Sequence, residues 1–312
     1  DSAAYMGLAV SRFKNVVVFV KNAIPGDRVR VIITSKKKKY FEGVIEEVIR
    51  PSIHRIEPKC RHFGTCGGCS WQNSHYSQQL DFKRQQVEEI FTHLGSGIAF
   101  SRISPVISSP EPYYYRNKMD FSFGTNRWLT QEEIKSGEEL HKGFALGLHV
   151  PKRWDKVLDL DVCYLQSSIS SKIVNEVRKI SLEKGWSAYD SRKNLGYLRN
   201  LVIRTGHYSE QIMINLVTSR SVPKRMKFLT TCLLSMFPEI TTLLNTVNGT
   251  RSPVTASGEE TVYHGLGKIT DNIGDLVFDI APDTFFQPNT VQAERLCELV
   301  RDYAELQGNE TL

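Results

Sequence analysis

Apolar residues recur in short runs over the first fifty positions: Val16-Val17-Val18-Phe19-Val20, then 27–33, Tyr40-Phe41 and 43–49, each bounded by turn residues. Short β-forming runs between tight turns predict a small barrel. The period then changes. Between positions 76 and 94, Leu80, Val87, Ile90, Phe91 and Leu94 fall at helical spacing with Lys83, Arg84 and Gln85 on other faces, so an amphipathic helix is expected there. From Tyr113 the pattern is mixed: 113–123 and 144–150 read as strands, 198–218 as a hairpin and 276–280 as a further strand. Helices fit 168–184 and 223–236, with a loop or short helix at 126–139. Asn289 and Gln292 resemble a capping pair opening a helix that carries Leu296, Leu299, Val300 and Tyr303. The pattern predicts an α/β chain, α+β overall.

Chemistry enters at residues 60–69, Cys-Arg-His-Phe-Gly-Thr-Cys-Gly-Gly-Cys, where three thiols crowd together in a chain with only six cysteines. Such spacing implies one shared metal centre. Structural zinc usually takes two short-spaced pairs, whereas the next cysteine after Cys69 is the solitary Cys163. A triplet plus one remote thiolate suits a 4Fe-4S cluster on Cys60, Cys66, Cys69 and Cys163. Gly64, Gly67 and Gly68 allow the backbone to wrap such a centre. The spacing differs from that of electron-carrier ferredoxins. Zinc and a disulfide pair with spare thiols stay open.

Charge adds a polyanionic partner to the picture. The 312 residues carry a net charge of +6, and Lys36, Lys37, Lys38 and Lys39 form a run between expected strands, with Lys14, Lys21, Arg28, Arg30 and Arg50 near it in sequence. This density suits a sugar–phosphate backbone; a solvated hairpin tip is the bland alternative. Arg116 and Lys118, two apart in an expected strand, would share a face beside Tyr113 or Tyr115 and grip phosphate or base edges. An ordinary charged solvent face would look the same. Arg199, Arg204 and His207 raise the same question on the later hairpin. At 283–289, Asp-Thr-Phe-Phe-Gln-Pro-Asn, an aromatic pair precedes an amide, a combination able to stack on an extruded base and bond to a polar edge. The low cysteine usage and the lack of a membrane-length apolar stretch or signal-peptide pattern lead us to expect a protein of a reducing compartment with no membrane partner, cytoplasmic or, in a eukaryote, organellar.

Together these motifs resemble a known family. Gly7-Leu8-Ala9-Val10, 17–20, Ala23-Ile24-Pro25-Gly26-Asp27 and Pro51-Ser52 look like a TRAM domain, the OB-like RNA-binding barrel. They lead into Pro58-Lys59-Cys60, Cys66-Gly67-Gly68-Cys69, Trp71-Gln72, Tyr76, Gln79-Leu80 and Lys83, then Tyr115-Arg116-Asn117-Lys118 and 283–289, ordered as in the RNA 5-methyluridine (uracil-C5) methyltransferases. The resemblance implies a TRAM barrel at 1–58, a central iron–sulfur RNA-recognition domain at 59–75 and 113–284, and segments 76–112 and 285–312 belonging to a Rossmann-like methyltransferase domain. It also implies that Gln287 touches S-adenosylmethionine and that Phe285 stacks near the target uracil.

The chain contains no GxGxxG-like turn and no Asp-Pro-Pro-type loop with a nucleophilic cysteine. Cys232 and Cys297 sit at helical spacing among apolar residues and read as core. The nucleophile and general base are therefore expected beyond Leu312, with no catalytic residue in this fragment, which alone is expected to be inactive and to leave an apolar patch exposed on the 76–94 helix. The implied partner is RNA, ribosomal ahead of transfer RNA, and a monomer is expected. A stand-alone RNA-binding module and a zinc-dependent RNA-binding protein are the alternatives.

Overall fold

In the computed structural model, which describes residues 1–94, 103–137, 139–251, 258–305 and 307, the apolar run at 16–20 forms one strand of a five-stranded sheet. Contacts divide the chain into two units, Asp1–Pro110 and Glu111–Leu312. The sheet of the first unit comprises β1 (Ser2–Ala3), β2 (Ala9–Phe13), β3 (Val16–Lys21), β4 (Arg28–Lys36) and β5 (Tyr40–Arg50), in the order β1-β2-β3-β5-β4. β2 and β3 are joined through Lys14 and Asn15, both at positive φ (47° and 65°), as a two-residue turn between twisted antiparallel strands requires. β3 and β5 run parallel, and β4 and β5 antiparallel. Ala9, Val18, Val20 and Ala23 form the core, with Val31, Phe41 and Ile45 against it.

The expected barrel does not close among the described residues: β1 and β4 stay unpaired with each other, and two-residue β1 is too short to form a ladder along nine-residue β4. The sharp turn after β3 is pinned by Asp27. Its carboxylate accepts from the Ile24 and Ser52 amides at 2.8 and 2.9 Å and from Arg55 Nε at 2.9 Å. Burial alone would raise its pKa, but the Arg55 and backbone hydrogen bonds outweigh burial and hold it below the ordinary value. The segment carrying the cysteine triplet follows, and then α1 (Tyr76–Leu94), the expected helix. Phe82 on α1 is buried against Trp71, whereas Val87, Ile90 and Phe91 are exposed.

The second unit is built on a seven-stranded sheet. Its elements begin with β6 (Lys118–Gly124), α2 (Gln131–Ser136), β7 (Ala145–Val150), β8 (Arg153–Asp159), α3 (Ser168–Glu183), β9 (Leu198–Thr205) and β10 (Ile212–Thr218). α4 (Pro223–Met236), β11 (Ile240–Val247) and β12 (Glu259–His264) complete the layer. A separate hairpin, β13 (Ile269–Ile273) and β14 (Leu276–Ile280), precedes α5 (Thr290–Ala304). The sheet order is β12-β11-β10-β9-β6-β7-β8. Only β10 and β11 are parallel, and α4 makes the crossover that such a pair needs. None of the five helices is long and apolar enough to cross a membrane among the described residues.

Period-two alternation in β6 sends Met119, Phe121 and Phe123 into the core and leaves Lys118, Asp120 and Ser122 half-buried on the opposite face. α3 and α4 pack on each other and over β7, β11 and β12, burying Ile173, Val174 and Val177 of α3 and Met226, Leu229 and Leu233 of α4. The sheet therefore has one apolar, helix-covered face and one face with a polar strip along β6 and β9. β6 also starts later than the sequence suggested. Tyr114 lies at φ 56°, and the Tyr114 and Arg116 amides donate to Tyr164 O (2.7 Å) and Leu165 O (2.8 Å), so residues 113–117 approach the sheet outside the ladder.

Candidate functional site

The aromatic–amide run at 283–289 lies between the β13–β14 hairpin and α5, and four groups tie it down. Asn117, immediately before β6, donates through Nδ2 to Gln287 O (2.7 Å) and Thr290 Oγ1 (3.0 Å), and its amide donates to Pro288 O (2.9 Å). Arg204 on β9 is only 4% exposed and donates through Nη2 to Pro282 O (3.0 Å) and Thr284 O (2.6 Å). Thr290 Oγ1 donates in turn to Asp271 Oδ2 at 3.0 Å. Asp271 is fully buried and also accepts the amides of His207 and Tyr208 at 2.9 Å each. Asn289 caps α5 by accepting from the Gln292 amide at 3.1 Å, which makes its role in the run structural.

This bracing sorts the two phenylalanines. Phe286 packs beside Met213, Leu244, Ile269 and Ile280 and meets the Phe278 ring at 5.7 Å. Phe285 is 81% exposed, and Gln287 is exposed beside it. The loop thus roots one ring in the core and presents the other, with an amide, on a backbone clamped at both ends. A ring held out on a rigid backbone can stack on a flat ligand without paying the ordering entropy of a loose loop.

Arg116 and Lys118 do not share a strand face as expected. Arg116 precedes β6, and its Nε donates to Lys118 O at 3.0 Å. Lys118 faces Arg204 across the ladder. Burial, then Arg204 and Arg116, push its pKa down, against the pull of Asp120. Three cations therefore gather near one end of the polar strip, close to the braced loop; Arg204 is buried and holds the loop carbonyls, so Arg116 and Lys118 are the two disposed to meet a phosphate. Burial likewise lowers the Arg204 pKa, opposed by Asp283. The strip continues along β6 through Asp120, whose Oδ1 accepts from Asn200 Nδ2 at 2.9 Å, to Ser122 and a cavity of about 620 Å³.

In the first unit, Lys36, Lys37, Lys38 and Lys39 are all exposed at the turn between β4 and β5, closed by the Lys37 amide on Tyr40 O at 2.9 Å. Cys60, Cys66 and Cys69 are half-buried there. Gln72 Nε2 donates to Cys69 Sγ at 3.2 Å and the Gly68 amide to Cys66 Sγ at 3.4 Å. Cys163 belongs to the second unit, where its amide donates to Ser171 Oγ at 3.0 Å. Among the described residues no three His, Cys, Asp or Glu side chains are disposed to hold one metal ion. Cys232 is half-buried on α4, but Cys297 is exposed on α5 rather than in the core.

Sequence reasoning quoted Asn117 without giving it a role, and Asp271, Thr290, Asp120 and Asn200 were missed. The Lys-Met-Asp-Phe-Ser-Phe alternation held the signal for Asp120, since it marks which residues leave the core. No signal of short range marks Asp271.

No protein-family model matches the chain. It is 40% identical over 278 residues to an uncharacterized RNA methyltransferase of Chlorobaculum tepidum, covering 88% of this chain and 57% of that protein. To an uncharacterized RNA methyltransferase of Bacteroides thetaiotaomicron it is 35% identical over 306 residues, covering 97% and 67%. The fold is similar to the crystal structure of the Pyrococcus abyssi tRNA (uracil-54, C5)-methyltransferase in complex with S-adenosyl-L-homocysteine. The TM-score is 0.66 at 24% identity, over 91% of this chain and 60% of that one. The chain thus spans roughly three-fifths to two-thirds of the length of these proteins, and its similarity to the Bacteroides relative over nearly its full extent shows that it belongs to the RNA methyltransferase family.

Proposed function

We propose that the chain is the RNA-recognition part of an S-adenosylmethionine-dependent enzyme that makes 5-methyluridine in structured RNA, 23S ribosomal RNA ahead of transfer RNA. The observation that carries this reading is the posture of 283–289, with Phe285 and Gln287 presented on a backbone braced by Asn117 and Arg204. Phe285 stacks on the flipped uracil and Gln287 contacts S-adenosylmethionine, which supplies the methyl group. Arg116 and Lys118 hold the adjoining phosphate, and the Lys36–Lys39 turn adds sequence-independent attraction. The strand order of the first unit supports a TRAM-type RNA-binding module at 1–58.

The reaction assigns the rest of the enzyme its duties. C5 of uracil is too weak a nucleophile to take a methyl group directly. A cysteine thiolate would add to C6, and C5 of the resulting enolate would take the methyl as its bond to sulfur breaks and S-adenosylhomocysteine departs; a base then removes the C5 proton and the thiolate is eliminated from C6. We place that thiolate and base in a part of the enzyme beyond residue 312, consistent with the greater length of the relatives. Cys60, Cys66, Cys69 and Cys163 remain our proposed 4Fe-4S ligands on their spacing, with a folding or RNA-positioning role and no step in methyl transfer.

Transfer of labelled methyl to 23S and transfer RNA transcripts tests the reading. The full-length protein should methylate uridine in 23S RNA and the 312-residue chain alone should not. In the full-length protein Gln287→Ala should weaken cofactor use, and Phe285→Ala the step that holds the flipped base. Transfer by the 312-residue chain would overturn the placement of the nucleophile, and preference for transfer RNA would reassign the substrate. An inactive full-length protein that binds RNA tightly would favour a stand-alone binding module.

A further inference from the structure

At the end of the polar strip away from the braced loop, the second unit holds the cavity of about 620 Å³, inside the ~300–1,000 Å³ range of small-ligand sites. From Lys118 to Ser122 the strand covers about 13 Å at ~3.3 Å per residue, a span that a few nucleotides of single strand bridge. The walls carry hydrogen-bonding groups of both kinds: Asp120, Ser122, Asn126, His149 and Asn200. One wall is flat, because the Arg199 guanidinium lies 4.5 Å from the Tyr189 ring. Arg199 is itself fixed by donating through Nη1 to Asn248 O and Thr250 O, both at 2.6 Å.

The rim is cationic. Arg192, Lys193 and Arg251 line it and are exposed. Asp190 turns its carboxylate inward to the backbone, accepting the Arg192 and Lys193 amides at 2.9 and 3.2 Å, so it shapes the turn that displays them. Gly196, at φ 114°, closes the same turn where an added Cβ would lie 2.1 Å from Ala188 O. Asp155 is engaged by Arg153 and Arg192. The Asp120 carboxylate, which accepts from Asn200 Nδ2 through Oδ1 and keeps further lone pairs as an acceptor, the aromatic–guanidinium surface and the exposed cations match, in that order, the base edge, the base face and the phosphate of one nucleotide.

We propose that this cavity is a subsite for an unpaired nucleotide of the RNA substrate, remote from the methylated uridine, whose base bears an exocyclic amino group that donates to Asp120. The assignment rests on the RNA reading above and adds a second point of sequence recognition to it.

Fluorescence anisotropy on the 312-residue chain, with labelled pentacytidylate and pentauridylate as probes, tests the assignment. The wild type should bind the cytidine probe more tightly, because its N4 amino group can donate to Asp120. Tyr189→Ala should weaken both probes about tenfold, in line with the loss of one base stack. Asp120→Asn should abolish the preference for cytidine. Lys193→Glu, which changes an exposed side chain, should weaken both probes and flatten the salt dependence without altering the preference. Equal affinity for the two probes, or variants that bind like the wild type while Lys36–Lys39 alanine variants lose affinity, would overturn the cavity assignment and leave the RNA reading standing. Failure of the wild type to bind either probe or structured RNA would overturn both. Competition by free cytidine monophosphate at the concentration at which pentacytidylate itself competes would overturn an RNA subsite in favour of a mononucleotide site.

Discussion

Replacing Asn117 by alanine removes the side chain that holds the 283–289 loop to the sheet while leaving every residue of the loop in place. Two hydrogen bonds go, to Gln287 O at 2.7 Å and to Thr290 Oγ1 at 3.0 Å. Gln287 is exposed, so water can replace the first donor at a net cost of about 1 kcal/mol. Thr290 is 1% exposed and already commits its proton to Asp271, so its oxygen loses a donor where water cannot follow, at about 1–3 kcal/mol. The sum is about 2–4 kcal/mol. For a unit of about 200 residues this lowers the melting temperature by about 4–16 °C. Calorimetry on Asn117→Ala, with Phe285→Ala and Phe286→Ala beside it, reads the result. Phe285→Ala should stay within about 0.5 kcal/mol of wild type because its ring touches mainly solvent, and Phe286→Ala should cost about 3 kcal/mol from the core. An Asn117→Ala protein melting within about 2 °C of wild type, or a Phe285→Ala loss as large, would refute the bracing argument.

Alanine at Lys36, Lys37, Lys38 and Lys39 should weaken binding to many RNAs alike, and titration against salt should show a slope smaller by about 0.7 for each lost contact to single-stranded phosphate; an unchanged slope leaves a solvated turn. Anaerobically purified protein should be brown, with iron and sulfide near one to one, and Cys→Ser at position 60, 66, 69 or 163 should bleach it; stoichiometric zinc without sulfide would replace the cluster. Lys118→Met should raise the melting temperature at neutral pH and lower RNA affinity, since the half-buried ammonium beside Arg204 and Arg116 costs stability. The folded protein releases this proton at lower pH than the unfolded chain. Wild-type stability should therefore rise relative to the variant as pH climbs through the depressed pKa towards the ordinary 10.5, and a flat difference between the two melting curves across that range would count against the burial argument.

Period and turn chemistry carried the local elements. The helices at 76–94, 168–183 and 223–236 were legible because each repeats apolar residues at helical spacing, and the hairpin at 198–218 because two β-forming apolar runs flank a short polar turn that contains Gly206. β11 was not, for Ile-Thr-Thr-Leu-Leu-Asn-Thr-Val lies inside the sheet with a parallel neighbour and has no alternation to show. The family motifs, including the Phe-Phe-Gln-Pro-Asn run, were also present in the linear order of residues. Which phenylalanine enters the core and which faces outward was not, because two adjacent rings of one type differ only in what folds against them. The same holds for the bracing of the run by Asn117 and Arg204, 170 and about 80 residues away, and for the nucleotide-sized cavity assembled from β6, β8, β9 and the turn at 189–193. Hydrogen bonds between distant segments leave no periodic trace in a sequence, so only the tertiary structure could decide them.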